Sequence, residues 1–488
     1  FELGGDSILA IQITARAAES GLEISTRDVF THQTIADLTT HIDDTTTETS
    51  RPAVIGDLPL SPVQEWFFAH YGASPDRSFY NQSVRLVGAD DLDVDSLVDA
   101  LRATVAHHDA FTSSFRYDES SGTWTCTRRP VGDDPPIAVV VTSATDEAGV
   151  LAIASEIAGR LDIQDGPLVG LAVVHPSDGP PAVVVTAHHL VVDAVSWFVL
   201  LGDVARAYRQ LRQGTTPQLL RPRLPWSAWT KIAGPLTPAD GTACGSAAGV
   251  PGAPTKPSSC AHEIDAQRTE RLTVDLAAVC GCTVEEVLLA AAVIAVRPEL
   301  DGDRVRIDLE GHGRDLEIDV SRTIGWFTTI VPIDVEVPLH AEGNEVLSRA
   351  VRARRAAPIG EDRHRCTRPR SGVRPAPVSV NHLGTLPGLK LAGGPFHLAE
   401  DLGAAGVERS PYLPAAHAID ITTQVRDGRL HVAVTTAVEG VDADVLIGRF
   451  FDALERLAPT SDVAPGPRTS DVSDHDLDVL ARQLEETP

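Results

Sequence analysis

Two hydrophobic periods alternate along this chain. From Leu58 to about Leu457, stretches such as VDSLVDALRATVAHH, VSWFVLLGDVARAYRQL and VEEVLLAAAVIAV repeat apolar residues every three to four positions, which predicts helices with a buried face. Between them lie short runs rich in β-branched residues, PAVVVTA, RVRIDLEGH and RLHVAVTTAV, which predict strands. Helix and strand interleave throughout, the signature of an α/β fold. Residues 1–43 read as short helices, with Ile8, Leu9, Ile11 and Ile13 in helical register. Residues 44–57, DTTTETSRPAVIGD, are polar and threonine-rich and read as a linker. A zone rich in Gly, Pro, Ala and Ser runs from Gly234 to Ser259 and reads as a flexible loop between lobes. In the tail, Leu477, Val479, Leu480 and Leu484 line one face of a short amphipathic helix.

Composition narrows the classes. A chain of 488 residues allows about three domains, fewer if one is large. With 43% hydrophobic residues a substantial core is expected. A formal charge of −27 argues against nucleic acid and anionic membrane surfaces as partners, since both need a basic footprint. No apolar run reaches the roughly 18 residues of a membrane span. The chain opens at Phe1 without a basic leader and contains no methionine, so it reads as a piece of a larger polypeptide. The six cysteines lack zinc-ligand spacing and read as reduced thiols of a cytoplasmic protein.

Chemistry concentrates in a few stretches. FELGGDS places Ser7 at a helix start, after two glycines that leave its hydroxyl open to a bulky group; a helix N-terminus also favours phosphate. In AHHLVVDAVSW, His188 and His189 end an apolar strand, with Asp193 one loop away and a helix following. A strand-end histidine is most often a structural side chain satisfied by backbone carbonyls. The dry strand and the nearby carboxylate point instead to a partly desolvated base held by a neighbour. LEGHGRD ends a strand at Glu310, then turns on Gly311 and Gly313, where glycines let backbone lie close to a ligand. The plainer reading of Glu310 is an exposed carboxylate paired with Arg314.

These stretches resemble two families in order along the chain. FELGGDS, continued by TRDVFTHQTIADLTTHI, resembles the latter part of a peptidyl carrier protein of nonribosomal peptide synthetases. The resemblance makes Ser7 the attachment point of 4'-phosphopantetheine, and GGDS is similar to the carrier type placed before epimerization domains. AHHLVVDAVSW resembles the His-His-x-x-x-Asp motif of the condensation superfamily. LPLSPVQEWFF (matching at Pro62, Gln64 and Trp66), VEEVLLAAAVIAV, LEGHGRD, SRTIGWFTTIVPI and VSVNHLGTL follow, and resemble the epimerization branch of that superfamily.

The resemblance implies an α/β fold of two chloramphenicol-acetyltransferase-like lobes in a V-shaped pseudodimer, preceded by a small helical carrier fragment. It divides the chain into a carrier part (1–43), a linker (44–57), an N-terminal lobe (58–225), a C-terminal lobe (226–458) and a linker or docking tail (459–488). It makes His189 and Glu310 the catalytic pair, with His188, Asp193, Arg314, Asn381 and His382 supporting. Asp193 is expected to pair with an arginine, and Asn381 to donate to an enolate oxygen. The implied reaction inverts the α-carbon of a carrier-bound aminoacyl or peptidyl thioester to the D-configuration, with an adenylation domain upstream and a condensation domain downstream. No metal or nicotinamide is called for. Two other readings stay open: an amide-forming condensation enzyme, and a degenerate platform that only docks carriers.

Two departures stand out. His382 occupies the place of a family tyrosine. The glycine- and tyrosine-rich Pro-x-x-Gly-x-Gly-Tyr-Gly stretch is replaced by APIGEDRHRCTRPRSGVRP, where only Pro358 and Gly360 remain. That region carries an arginine island (Arg352, Arg354, Arg355, Arg363, Arg365, Arg368, Arg370), readable as a solvated loop or a docking surface for phosphate or an acidic carrier.

Overall fold

The computed structural model describes residues 51–130, 135–144, 146–234, 246–247, 257–316, 318–338, 343–370, 376–386, 396–398 and 409–457, single residues between these, and positions scattered from 10 to 44. Ser7 and the tail helix lie outside them. So does the first carrier helix as read from the sequence, apart from single positions such as Ala10 and Ile13. The helices Thr26–Thr31 and Ile35–Asp44 close the carrier segment.

Among the described residues, two large hydrophobic cores form, each against its own mixed sheet, with a smaller cluster between the first sheet and the helix Glu147–Ala158. In the first, the sheet order is Phe396–Leu398, Asn81–Gly88, Ala182–His188, Val169–Pro176, Ala138–Ala144. The strand Ala182–His188 is central and every residue in it is buried, which is why it reads as an unbroken apolar run rather than an alternating one. The second sheet runs Thr329–Glu336, Arg304–Gly311, Val378–Leu386, Ile419–Arg426, Arg429–Thr436, Ser258–Ile264. Against it packs the helix Val284–Val296, started by a capping box between Thr283 and Glu286 and buried on nearly all sides.

The two cores do not part at one chain position. The helix Trp226–Ala233 packs into the first core, beyond residue 225. So do Val320, Ile324, Trp326 and Phe327, on a segment that leaves the second sheet after Gly311 and returns at Thr329. Phe396–Leu398 adds an edge strand to the first sheet, pairing Phe396 with Gly88. Ser410 N–H donates to Phe79 O at 2.9 Å, next to a bridge between Tyr80 and Arg409. The second half of the chain therefore clasps the first through several segments, these among them.

The expected linker is partly structured. Gly56–Leu58 pairs with Thr123–Arg128, Arg51 N–H donates to Arg223 O, and Val54 N–H donates to Ser227 Oγ, so residues 51–57 are strapped to the first lobe. The backbone donors of this stretch outweigh its polar composition. The thiols also differ from expectation. Cys126, Cys260, Cys280 and Cys282 are free, but Cys366 is disulfide-bonded. Among the described residues, no single helix is long and apolar enough to cross a membrane.

The clasp depends on close approach at Gly325. A Cβ there would collide with Cε3 of Trp226, a fully buried ring with no room to move. Gly325→Ala is expected to cost at least the ~1–3 kcal/mol of an overpacked core, read as a lowered urea midpoint.

Candidate active site

The paired histidines separate into two roles, and their partners assign the tautomers. His188 is fully buried. Its Nδ1 accepts from Leu190 N–H at 3.1 Å, so Nε2 carries the proton and donates to Arg77 O, also at 3.1 Å. Burial pushes its pKa down to about 3. It is a neutral strut. His189 is half-buried, and its Nδ1–H donates to Val192 O at 2.8 Å. Its Nε2 lone pair therefore accepts a hydrogen bond from Gln82 Nε2 at 3.0 Å. Gln82 is fixed in that orientation because its Oε1 accepts from Trp197 Nε1 at 2.9 Å. The imidazole packs against both Trp326 and Tyr80, ring centroids 4.3 and 5.6 Å away. Burial, then the charge of Arg409, pushes its pKa down to about 4.

The turn holding His189 is tied on both sides. Gln64, in the capping box of the helix Pro62–Tyr71, donates to Leu190 O at 2.9 Å. Asp193 N-caps the helix Ala194–Arg212, accepting from Ser196 N–H at 2.7 Å. The same carboxylate accepts from Arg314 Nη2 at 2.9 and 3.1 Å and from Phe327 N–H at 3.1 Å. Arg314 also donates to Val320 O and Thr323 O and lies 4.2 Å over the Phe327 ring. The expected arginine partner of Asp193 is thus Arg314, which is not free to neutralise Glu310.

Glu310 lies near the end of the strand Arg304–Gly311. Its Oε1 accepts from Ser379 Oγ at 3.2 Å and its Oε2 from Asn381 Nδ2 at 2.8 Å. Asn381 is therefore committed to orienting the carboxylate, a different task from the expected enolate donor. Burial raises the pKa of Glu310 above its usual 4.5; His417 and Arg409 pull it down and Asp420 pushes it up. His382 sits one residue on, so strand alternation sends it to the opposite face, where Nδ1 lies 3.0 Å from Thr423 Oγ1. It does not join Glu310.

Tyr80 and Arg409 link Glu310 and His189 electrostatically. Tyr80 stacks on His189, and the charge of Glu310 contributes to raising the pKa of its hydroxyl, after burial. The Arg409 guanidinium lies 4.3 Å over the Tyr80 ring, and its charge acts on both His189 and Glu310. Nothing in the local sequence marks Tyr80, Gln82, Arg409 or His417. Asp308 alone carries a hint, because the alternation in RIDLE puts it on the face of Glu310.

The arginine island is not a free basic surface. Arg354 pairs with Glu285, Arg355 with Glu286, Arg363 with Asp315, Arg365 with Asp362 and Arg368 with Glu65. Arg363 also covers Gly311, where a Cβ would collide with its guanidinium.

These burials have consequences for stability. Asp193 and Arg314 keep 4% and 1% of their side-chain surface exposed. Asp193→Asn, which strands the guanidinium, should cost ~3–5 kcal/mol, whereas the double change Asp193→Leu/Arg314→Met should cost less than the single one. Urea titrations distinguish them. His188 and His364, with pKa values pushed down to about 3 and 4, stay neutral in the folded chain, while unfolded histidine takes up a proton near 6.5. The unfolded chain binds more protons in this window, so stability should fall as pH drops from 6.5 towards 4, by roughly 1.4 kcal/mol per pH unit for each. Urea midpoints at pH 7 and pH 5 measure it.

Known proteins share this sequence and fold. The family model described as phosphopantetheine attachment site matches residues 1–42. The condensation domain model matches residues 54–232 and 253–358. The chain is 29% identical over 477 residues to one subunit of the linear gramicidin synthase of Brevibacillus parabrevis, covering 88% of this chain and 6% of that protein. It is 32% identical over 378 residues to one subunit of the plipastatin synthase of Bacillus subtilis (strain 168), covering 69% of this chain and 10% of that protein. The chain thus spans a tenth or less of these relatives. Among solved structures it is similar to the epimerization domain from the third module of tyrocidine synthetase B, with a TM-score of 0.70 and 25% identity, over 85% of this chain and 98% of that one. With family-model matches that run through both lobes, the chain belongs to the condensation-domain family and carries a phosphopantetheine attachment segment at its N-terminal end.

Proposed function

We propose that the chain epimerizes the α-carbon of an aminoacyl or peptidyl thioester held on the phosphopantetheine arm of Ser7. The observation carrying this reading is that a carboxylate from the second lobe, Glu310, and an imidazole from the first, His189, both feel the charge of Arg409, which lies over Tyr80. A thioester acidifies its α-hydrogen, but inversion also needs a proton acceptor on one face of the carbon and a proton donor on the other. Burial lowers the imidazole to about 4 and raises the carboxyl above its usual range. A carboxyl raised by burial is a stronger proton acceptor than an ordinary carboxylate. Glu310, oriented by Ser379 and Asn381, serves one face. His189, its Nδ1–H held by Val192 O, serves the other and returns a proton from Nε2 when that nitrogen is protonated.

The phosphopantetheine arm supplies a flexible tether and a thioester when bound. The site suits such a group: Trp326 Nε1, beside His189, is buried and without a hydrogen-bond partner, and carbonyl acceptors of the arm or substrate meet that need. Similarity to the tyrocidine epimerization domain supports this reading. The condensation family match favours amide bond formation as the second reading, a reaction that requires two acyl carriers and no carboxylate at Glu310.

A panel of soluble L-aminoacyl pantetheine thioesters in deuterium oxide separates the two. Wild type should place solvent deuterium at the α-carbon and form the D-epimer. Glu310→Gln should lower exchange by roughly 10²–10⁴-fold. Exchange should also fall as pH drops through the raised pKa of Glu310, because the base is lost on protonation. Exchange unchanged in Glu310→Gln, or amide product formed without exchange, contradicts the proposal.

A further inference from the structure

We propose that His417 is a positioning residue for Glu310: clamped between Asp308 and Asp420, it is a permanent cation that fixes the neighbouring carboxylate as proton acceptor. Its role rests on the epimerase reading, but the clamp itself stands on geometry. His417 is buried, with Nε2 2.9 Å from Asp308 Oδ2 and Nδ1 3.3 Å from Asp420 Oδ1. Nε2 hydrogen-bonds to one carboxylate and Nδ1 lies at ion-pair distance from a second, an arrangement that favours a proton on both ring nitrogens.

The clamp is built into the sheet that carries Glu310. Asp308 and Glu310 are two apart on one strand and share a face. In register, Asp308 lies opposite Ser379, and Ser379 opposite Asp420. Ser379 in turn donates to Glu310. The helix Pro62–Tyr71 of the first lobe covers this ladder: Trp66 stacks on His417 with ring centroids 6.3 Å apart at 16°, and His70 packs on Trp66 at 4.4 Å.

The charges facing this cluster come from every packed element. Asp308 and Glu310 lie on one strand, Asp420 on another, His70 on the covering helix and Arg409 on the returning segment. Burial and the charge of His417 lower the pKa of His70, which favours its neutral form. With His417 protonated, three carboxylates face two cations. Without it they face only Arg409, and Glu310, already raised by burial, is the carboxylate that takes up a proton. The shift of His417 to about 10 agrees in direction with the geometry.

Two measurements test this. In nitrogen-15 NMR of the intact chain, both His417 ring nitrogens should show imidazolium shifts without titrating between pH 5.5 and 8.5; titration near pH 6.5 overturns the proposal whatever the enzyme does. In α-deuterium exchange, His417→Gln should move the acid limb of the pH–rate profile up by about one unit, a roughly tenfold loss below the limb. Asp420→Asn should move it down, and the double variant should bring it back towards wild type. A limb that stays in place while rate or yield falls at all pH values shows a structural role only and contradicts the inference. If wild type shows no exchange, the epimerase reading fails, and the NMR result alone judges the clamp.

Discussion

The buried ion pair of Asp193 and Arg314 is the constraint on which the site rests. Asp193 begins the helix after the histidine turn, and Arg314 begins the segment that leaves the second sheet just past Glu310. A charge pair with almost no exposed surface must be fully hydrogen-bonded, and this one is tied by Ser196, Phe327, Val320 and Thr323. Joining these two points fixes His189 relative to Glu310, although more than a hundred residues separate them. The same pair pulls Trp326 onto His189 and Phe327 into the first core.

Around this clamp, the protein sorts its titratable groups by partner. His188 faces a carbonyl and a backbone N–H and is neutral. His189 keeps one lone pair unprotonated. His417 faces two carboxylates and is charged. Glu310 accepts from two neutral donors and lies near two cations. One residue type takes three roles because each ring nitrogen meets a different partner.

Much of this was legible in the sequence. The PAVVV run revealed a central strand, and the histidine turn, Glu310 and Arg314 were recognisable from local pattern. The pairing of Asp193 with an arginine was expected, and Arg314 supplies it. Other features were hidden because they depend on chain crossings. Gln82 and Tyr80 reach His189 only through antiparallel pairing of Asn81 with His188. Arg409 arrives through a bridge to Tyr80, and nothing in its neighbourhood marks it. Asn381 and His382 were both expected to support the site, yet the period of two sends them to opposite faces. The arginine island looked like a surface because charge counts ignore acidic partners distant in sequence, such as Glu65, Glu285 and Glu286.

The central claim is spatial: one substrate carbon is held between groups from the two lobes. A crystal structure with a non-hydrolysable aminoacyl pantetheine amide tests it most directly. The α-carbon is expected between His189 Nε2 and Glu310, each within about 3.5 Å and on opposite faces. An α-carbon that touches only one of them, or binds outside the space bounded by Tyr80, Trp326 and Arg409, would contradict it.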